Sequence, residues 1–352
     1  MKLIHAADIH LGSPLSAALF LEKRTERQNE LIFTFNRMIE YAKQNGVDAV
    51  LLSGDVFDSN TPFKKHKEFF YSAIKNSPEI TFFYLRGNHD TGACYTEDIE
   101  NLITFDESFK SFDFKGVTIS GCEITDANAL SFYSSIDLKK EDTNIVMLHG
   151  ALSSSVGKDK IVLSKLYDRN IDYLALGHIH SFETGSLDLR GVYAYSGCLE
   201  PRGFDECGSK GFVLLDIQNG KIQSEFVPFS KRTIHEITVD ISGTSDSYSA
   251  FKRVRESVLC PVKDLVRVIL EGEVSFDASF LERDLKDFLN MDFYLSSVKN
   301  KTTTKINLED FKDSLSLKGE FVRSVSENNA LSENEKNKII SLGLKALMGE
   351  EV

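Results

Sequence analysis

Cysteine is scarce in this chain and follows no pattern that would give it a structural role. The five cysteines are Cys94, Cys122, Cys198, Cys207 and Cys260, an odd number with no Cys-x-x-Cys spacing. A disulfide framework or a thiolate metal site would show an even set or closely spaced pairs. The sequence therefore indicates neither kind of site, and its cysteine usage indicates a reducing compartment.

Long apolar runs, repeats and low-complexity tracts are also absent. A membrane-spanning helix needs about 18 or more consecutive apolar residues, which the sequence does not offer. The opening residues MKLIHAADIH place one lysine and then a carboxylate in the first apolar stretch, unlike a signal or transit peptide. We therefore expect a cytoplasmic protein with no membrane partner.

What the sequence does contain is a series of oxygen and imidazole side chains, nearly all placed where an apolar run ends. The runs are KLIHAADIH, DAVLLSGD, ITFFYLRGNHD, NIVMLHG and DYLALGHIH, and each resembles a buried strand. In open α/β sheets the site lies beyond the carboxyl ends of the strands, so these side chains can converge. The series is Asp8, His10, Asp55, Asn88, His89, His149, His178 and His180.

The residue types in this series point to two metal ions. Asp, Asn and His without cysteine suit Mn²⁺, Mg²⁺ or Fe better than a structural zinc, and Mn²⁺ is the first choice. Two metals roughly 3.5 to 4 Å apart clamp the attacking and leaving oxygens of a phosphoryl displacement and activate a bound water as hydroxide. Asp55 is the best bridging carboxylate, because Gly54 before it lets the backbone turn close to the ions.

Each element alone has an ordinary explanation. A single D-x-H is usually a capped turn, and a lone H-x-H is usually two solvated loop residues, but five elements in order behind strands favour a metal site. By contrast, His5, His66 and His235 stand outside the series and are interpreted as packing or surface residues.

The series resembles the calcineurin-like metallophosphoesterases. Their motifs D-x-H, G-D-x-x-D, G-N-H-D, H-G and G-H-x-H stand here at 8–10, 54–58, 87–90, 149–150 and 177–180. HAADIHLGSP, LLSGDVFDSNTP and LALGHIH are further similar to the nuclease subunit of SbcC and SbcD type DNA repair complexes, and the length and acidic character of the chain are similar to the YhaO-like branch. The resemblance covers roughly residues 1–230 well.

This resemblance implies specific roles. One metal would bind Asp8, His10, Asp55 and His180, and the other would bind Asp55, Asn88, His149 and His178. His89 would be a general acid or transition-state stabiliser rather than a ligand. Asp58, where archaeal and eukaryotic repair nucleases commonly have histidine, would orient His89 by accepting its other ring proton.

Two arginines are candidates for binding substrate, Arg86 and Arg202. Arg86 stands where phosphoprotein phosphatases have a phosphate-holding arginine, yet Ser59 and Asp90 occupy positions where those enzymes have arginine and glutamate. The net charge of −12 predicts weak DNA affinity for the isolated chain, although bound metals and local patches such as Lys158 with Lys160, or Arg202 with Lys210, would offset it.

The chain is expected to have a metallophosphoesterase domain at 1–230, an α/β capping domain at 231–305 and a helical segment at 306–352. The first begins β-α-β-α-β, with Leu31, Phe35, Met38 and Ala42 on one helical face, and turns to strands with a hairpin at Asn219-Gly220. The expected fold class is α/β, with two packed sheets flanked by helices.

The second half reads β-α-β-α-β without ligands, as suits a domain that shapes access to the metals. In the last segment, Leu308, Phe311 and Leu315 recur at helical spacing, and Ser332 with Glu335 form a capping box before Ile340, Leu344 and Leu347. Such helices usually cover their own domain, whereas the resemblance implies docking to the coiled coil of a partner ATPase.

The functional hypothesis is a metal-dependent DNA exonuclease with some single-strand or hairpin endonuclease activity, in complex with an SMC-like ATPase of the SbcC type and paired as a homodimer. Three alternatives stay open: a nucleotide or cyclic-nucleotide phosphodiesterase, a phosphoprotein phosphatase, and a non-catalytic DNA-end tether or adaptor.

Overall fold

The structure is a computed structural model, and it describes residues 1–15, 21–90, 98–276, 278, 280–304, 311 and 314–348. Cys94 and Leu308 lie outside the described residues. The chain forms two compact units, Met1–His235 with Lys263–Leu265 and Glu236–Val262 with Val266–Val352. Among the described residues, no helix combines the length and apolar character needed to cross a bilayer.

Strands and helices alternate in the first part of the chain and again in the second unit. In chain order the strands are β1 Lys2–Ala6, β2 Ala49–Ser53, β3 Thr81–Leu85, β4 Leu102–Thr104, β5 Lys110–Phe114, β6 Val117–Gly121, β7 Thr143–His149, β8 Ala151–Leu152, β9 Lys160–Ile161, β10 Tyr173–Gly177, β11 Glu183–Ser186, β12 Val192–Tyr195, β13 Gly211–Gln218, β14 Lys221–Pro228, β15 Ile234–Asp240, β16 Leu265–Glu271, β17 Glu273–Val274, β18 Leu295–Asn300 and β19 Thr303–Thr304. The helices are α1 Leu21–Gln44, α2 Lys64–Lys75, α3 Phe132–Ser135, α4 Ser247–Ser257, α5 Leu281–Asp292, α6 Leu317–Ser326 and α7 Glu333–Met348, with a turn of 3-10 helix at Leu163–Lys165.

The first sheet has the strand order β14-β13-β1-β2-β3-β4. Strands β1 to β4 are parallel, which requires crossover helices, and β13 with β14 extends the sheet antiparallel. Helices α1 and α2 pack on its outer face, where Phe35 and Phe70 are fully buried. The predicted β-α-β-α-β start and the buried helical face of α1 are confirmed.

The second sheet has the order β11-β12-β10-β7-β6-β5, with four parallel central strands and antiparallel edges. Side chains from both sheets meet in one buried cluster, including Leu51 and Phe83 from the first and Ile145 and Tyr173 from the second. Their burial removes a large apolar area from water and holds the sheets face to face. The predicted two-sheet sandwich flanked by helices is confirmed.

The hairpin predicted at Asn219-Gly220 joins β13 to β14. Both residues have positive φ, 51° and 75°, and Gln218 pairs with Lys221 across the turn. A two-residue turn of this hand matches the twist of the strands, and asparagine and glycine adopt it at low cost.

The second unit contains the predicted β-α-β-α-β order. Strands β15, β16 and β18 form one sheet, and helices α4 and α5 contribute Val254 and Leu285 to the core beside Val266 and Leu270. Helix α4 begins at a capping box in which Asp246 accepts the backbone N–H of Ser249 at 2.8 Å.

Helices α6 and α7 pack around a small core of Val322, Ile340 and Leu344. The predicted capping box is confirmed, because Ser332 N donates to Glu335 Oε2 at 2.9 Å and Glu335 N donates to Ser332 Oγ at 3.4 Å. The helical prediction for Leu315 is wrong, since residues 314–316 are not helical. Ser316 instead caps α6, and its Oγ accepts the N–H of Gly319 at 3.2 Å.

Candidate metal centre

The predicted ligands follow the carboxyl ends of parallel strands in both sheets. Asp8 comes two residues after β1, Asp55 two residues after β2 and Asn88 three residues after β3. In the second sheet, His149 is the last residue of β7, and His178 directly follows β10. Because parallel strands end at the same edge of a sheet, segments far apart in sequence deliver their side chains to one place.

The backbone of the ligand turns adopts a conformation that most residues avoid. Asp8, His10, Asp55 and His178 have φ values of 52°, 49°, 52° and 105°. Residues held in such regions cost about 1 to 3 kcal/mol each and persist only where the surroundings hold them. Here Asp8 N donates to Gly54 O and His10 N donates to Asp55 O, each at 3.0 Å. These bonds tie the first two ligand turns together.

Two glycines allow the ligands to approach one another closely. A Cβ at Gly54 would lie 2.2 Å from His149 Nδ1, and a Cβ at Gly87 would lie 2.2 Å from Asp55 Oδ1. Gly54 also has a φ of 93°, which disfavours other residues. Any side chain at these positions would displace a candidate ligand.

One group of candidate ligands gathers around His10 and His180. Their Nε2 atoms are 3.2 Å apart, and His180 Nε2 lies 3.8 Å from Asp8 Oδ1. His10 Nε2 is also 3.9 Å from Asp55 Oδ2. Ring nitrogens and carboxylate oxygens that face one another at these distances can surround a cation.

A second group gathers around Asn88. Its Oδ1 lies 3.1 Å from His149 Nε2 and 3.1 Å from His178 Nδ1. Asp55 Oδ2 is 3.4 Å from His149 Nε2, so the same carboxylate borders both groups. The structure therefore brings all seven sequence-predicted ligands together, with Asp55 between the two groups.

The electrostatics of the centre fit bound cations. Burial alone would raise the pKa of Asp55, but the hydrogen bond and charge of His149 hold that pKa well below its usual range. Burial would lower the pKa of His149, and the Asp55 carboxylate raises it instead. The buried carboxylates of Asp8 and Asp55 thus need nearby positive charge. Divalent cations would supply it while binding neutral imidazole.

His89 stands beside the centre with an exposed side chain. Its backbone N–H donates to Asp55 Oδ1 at 2.8 Å, and its ring meets the His10 ring edge to face with centroids 5.1 Å apart. The placement of Asp58 requires a correction, because Asp58 Oδ1 lies 2.8 Å from His10 Nδ1. Asp58 thus pairs with His10, and among the described contacts no hydrogen bond joins Asp58 to the ring of nearby His89.

Two further carboxylates, which the sequence motifs did not predict, support the centre. Glu206 Oε1 lies 2.7 Å from His180 Nδ1, and it comes from the loop after β12, where no motif indicates it. Asp90 accepts hydrogen bonds from Val56 N at 2.8 Å, Tyr84 Oη at 2.6 Å and Gly87 N at 2.5 Å. Burial and the nearby charge of Asp55 raise the pKa of Asp90 to about 7. Through these hydrogen bonds Asp90 fixes the turn that carries Asn88. Its position in the G-N-H-D motif is the sequence feature that could have indicated this role.

The basic candidates mostly bind protein carboxylates. Arg86 donates through Nε and Nη2 to Glu123, at 2.7 Å each, at the side of a cavity of about 190 Å³ that His149 and Lys158 also line. Arg202 binds Asp58 and Glu206 within the protein, and its binding of substrate stays a prediction. Lys210 is buried, and its Nζ donates to His180 O at 2.8 Å, so it cannot form an exposed basic patch.

The other histidines behave as interpreted from the sequence. His5 is fully buried with Nδ1 3.0 Å from Tyr173 Oη, and burial lowers its pKa to about 3. His66 packs beneath Gly12, and His235 lies 2.9 Å from Asp264 Oδ2. Among the described cysteines, Cys122, Cys198, Cys207 and Cys260, no disulfide is formed.

Comparison with known proteins agrees with this geometry. The model of the calcineurin-like phosphoesterase family matches residues 1–182. The uncharacterized metallophosphoesterase YhaO of Bacillus subtilis is 31% identical over 299 residues, covering 77% of this chain and 72% of that protein. The DNA double-strand break repair protein Mre11 of Aeropyrum pernix is 25% identical over 308 residues, covering 77% and 73%.

A second Mre11 protein, from Sulfolobus acidocaldarius, is 25% identical over 297 residues, covering 78% of this chain and 76% of its own length. The family match extends over more than half of the chain and includes Asp8, Asp55, Asn88, His149 and His178. The chain belongs to the calcineurin-like phosphoesterase family, whose members use a dinuclear metal centre.

Proposed function

We propose that this protein is a dinuclear metal-dependent nuclease that hydrolyses phosphodiester bonds in DNA. It would act as an exonuclease and, to some extent, as an endonuclease on single-stranded or hairpin DNA. The observation that carries the proposal is the pair of ligand groups that share Asp55, 3.4 Å from His149 and 3.9 Å from His10. The likeness of this chain to the double-strand break repair proteins supports DNA as the substrate. Mn²⁺ is the proposed metal, with Mg²⁺ or Fe as alternatives.

The proposed ligand sets are Asp8, His10, Asp55 and His180 for one ion and Asp55, Asn88, His149 and His178 for the other. Two such ions, when bound, supply positive charge to the phosphate and an activated water. The protein residues would then hold the ions at fixed separation and orient the phosphate. Asp55 is proposed to bind both ions because its carboxylate is the one next to both groups.

His89 is proposed to protonate the leaving sugar oxygen or to stabilise charge on the phosphate. Its backbone is fixed to Asp55 Oδ1, while its ring is exposed at the edge of the centre. The backbone of such a side chain is held in place while its ring is open to solvent. The ring can therefore contact a substrate atom, and no metal ligand is lost when it does so. Its role therefore differs from that of buried His10 and His149.

The alternatives are weighed by the same contacts. A phosphoprotein phosphatase would need Arg86 to grip a phosphate, but two donors of its guanidinium already bind Glu123. A non-catalytic DNA-end tether would not need a complete ligand set. A nucleotide or cyclic-nucleotide phosphodiesterase would use the same centre, and the cavity beside Arg86 and Lys158 is the feature that favours it. This phosphodiesterase is therefore the second candidate.

We further propose that the α6 and α7 helices dock an SMC-like coiled-coil ATPase and that the nuclease acts as a homodimer. Leu317, Leu342 and Leu347 are 73%, 42% and 40% exposed, outside the small core formed by Ile340 and Leu344. Apolar side chains left at a helical surface suit an amphipathic helical partner. The net charge of −12 also favours a partner that contributes DNA affinity.

The decisive experiment compares substrates under one metal condition. The protein is incubated with Mn²⁺ and linear duplex DNA, closed circular duplex, single-stranded DNA, cyclic nucleotides or a phosphopeptide, and a chelated sample is the control. We expect metal-dependent cleavage of linear and single-stranded DNA with little cleavage of the closed circle. Hydrolysis of the cyclic nucleotides alone would support the second candidate, and loss of phosphate from the peptide alone would support the phosphatase.

A further inference from the structure

Arg202 joins two carboxylates that each hold a candidate metal ligand. Its Nη1 donates to Asp58 Oδ1 at 2.8 Å, while Nε and Nη2 donate to Glu206 Oε1 at 3.0 and 2.9 Å. Asp58 lies 2.8 Å from His10 Nδ1, and Glu206 lies 2.7 Å from His180 Nδ1. One guanidinium thus links the outer nitrogens of both histidines in the same ligand group.

The chemistry of histidine ligands makes these outer contacts important. When Nδ1–H donates to a carboxylate, the proton stays on that nitrogen, and Nε2 is left free to bind a metal. His10 and His180 both direct Nε2 toward the centre, where these atoms are 3.2 Å apart. Glu206 is hydrogen-bonded to His180 Nδ1, and Asp58 lies in ion-pair contact with His10 Nδ1, so both carboxylates are placed to orient the rings.

An arginine is well suited to this position. The planar guanidinium has donors on several sides in fixed directions, so it can bind two carboxylates at once, whereas a lysine ammonium is a single flexible point charge. It also compensates the two negative charges, which would otherwise repel each other when partly buried. We propose that Arg202 is a positioning residue that fixes His10 and His180 and so preorganises the metal position they share with Asp8.

The surroundings of Arg202 hold it in place. Its backbone N–H donates to Glu206 Oε2 at 2.6 Å, and the preceding carbonyl, Pro201 O, accepts from Arg27 of α1. Lys210 adds a bond from Nζ to His180 O at 2.8 Å. The loop that carries Arg202 is thus anchored to a helix on one side and to a ligand segment on the other.

The other ligand group is held differently. His149 Nδ1 lies 2.9 Å from the backbone carbonyl Ser53 O, and the backbone N–H of His178 donates to both carboxylate oxygens of Asp8 at 3.0 Å. These contacts do not involve the arginine. Loss of Arg202 should therefore weaken one metal position much more than the other.

The test is Mn²⁺ binding to the full chain, followed by electron paramagnetic resonance. The variants are Arg202→Met, Arg202→Lys and the control Arg190→Met, which removes an arginine that binds both carboxylate oxygens of Asp172, at the opposite end of β10 from His178. We expect Arg202→Met to keep one tight ion and to bind the other roughly 10- to 100-fold more weakly. The spectrum should change from a spin-coupled pair to isolated Mn²⁺.

Arg202→Lys should restore only part of the affinity, because one ammonium cannot hold both carboxylates. The control should bind two ions with the coupled spectrum. Glu206→Gln is a second route to the same position, should Arg202→Met fail to fold, and it should also weaken one ion selectively. Two wild-type affinities in either variant, or equal weakening of both ions, would overturn the inference.

The inference rests on the proposed metal centre but not on the choice of DNA as substrate. If the unmodified protein bound no pair of ions, the proposed function itself would fail. If that protein bound two ions and Arg202→Met did as well, only the role of Arg202 would be lost.

Discussion

Asp55 Oδ1 accepts the backbone N–H of His89 at 2.8 Å, while its Oδ2 lies 3.4 Å from His149 Nε2. The proposed bridging carboxylate is therefore tied directly to the chain segment that carries the proposed acid. Changes at Asp55 should consequently disturb both metal binding and the position of His89, whereas changes confined to the His89 ring should leave the metals in place.

Asp55→Ala should lose metal and activity together. The substitution removes the carboxylate next to both ligand groups and leaves the backbone N–H of His89 without that acceptor. Metal analysis of the purified variant after dialysis measures the effect. Two tightly bound ions in Asp55→Ala would contradict the bridging assignment.

His89→Asn should keep both metals and lose roughly two to four orders of magnitude in the rate of DNA cleavage. On an aryl phosphodiester the loss should be much smaller, because a phenolate leaves without a proton. The two rates are compared under the same metal conditions. Equal losses would favour phosphate positioning over acid catalysis, and loss of an ion would make His89 a ligand.

Deletion of the chain after about Asn307 should leave Mn²⁺-dependent cleavage of short single strands intact and abolish co-purification with the ATPase. The α6 and α7 helices have their own small core, which makes this separation feasible. A finer test compares co-purification of the ATPase with two variants of the same helix. One is the double variant Leu342→Glu with Leu347→Glu, and the other is the control Lys338→Glu. Unfolding of the truncated chain would support intramolecular packing in place of docking.

Arg27→Met should destabilise the protein by about 3 to 5 kcal/mol near neutral pH, because it removes one partner from a buried ionic cluster. Arg27 is 2% exposed and pairs with Glu30, and Glu200 is 3.7 Å away. Chemical denaturation measures the change. Arg190→Met, which breaks a more exposed pair with Asp172, should cost about 1 kcal/mol or less.

The loss caused by Arg27→Met should depend on pH. Burial raises the pKa of Glu200, and Arg27 opposes that rise. In the variant the folded-state pKa of this carboxyl should rise further above its unfolded value. A raised carboxyl pKa destabilises the fold at high pH, and this penalty shrinks as the pH falls below the raised folded-state pKa and is gone below the unfolded-state pKa. The stability difference from wild type should therefore be smaller at acidic pH than at neutral pH, and a constant difference would contradict this reasoning.

The ligands were accessible from sequence because each follows a strand that local pattern reveals. The apolar runs ending near Asp8, Asp55 and His149 have strand composition, and parallel strands align their ends without further information. The same local reasoning gave the Asn219-Gly220 hairpin and the Ser332 capping box. Interactions between neighbours in sequence and the periodicity of strands were sufficient in these cases.

The supporting contacts were not accessible in this way. Glu206 and His180 are 26 positions apart in the sequence, and Arg202 and Asp58 are 144 positions apart. No sequence motif therefore predicts either contact. Asp58 was assigned to His89 on the basis of a motif, but the packing of the first ligand turn places it on His10. Leu315 fitted helical spacing, yet the Ser316 cap starts the helix after it. Each difference comes from tertiary packing or from a local cap that outweighs periodicity.

The left-handed turns at Asp8 and His10 are closed by backbone hydrogen bonds to Gly54 and Asp55, and this has a consequence for how the protein handles chelators. The ligand geometry is stored in the polypeptide itself, so the ions are not needed to create it. Chelation should leave far-ultraviolet circular dichroism unchanged, and adding metal back should restore binding without a refolding delay. The centre should therefore release and rebind its metals while the protein stays folded, unlike small zinc domains that unfold when their metal is removed.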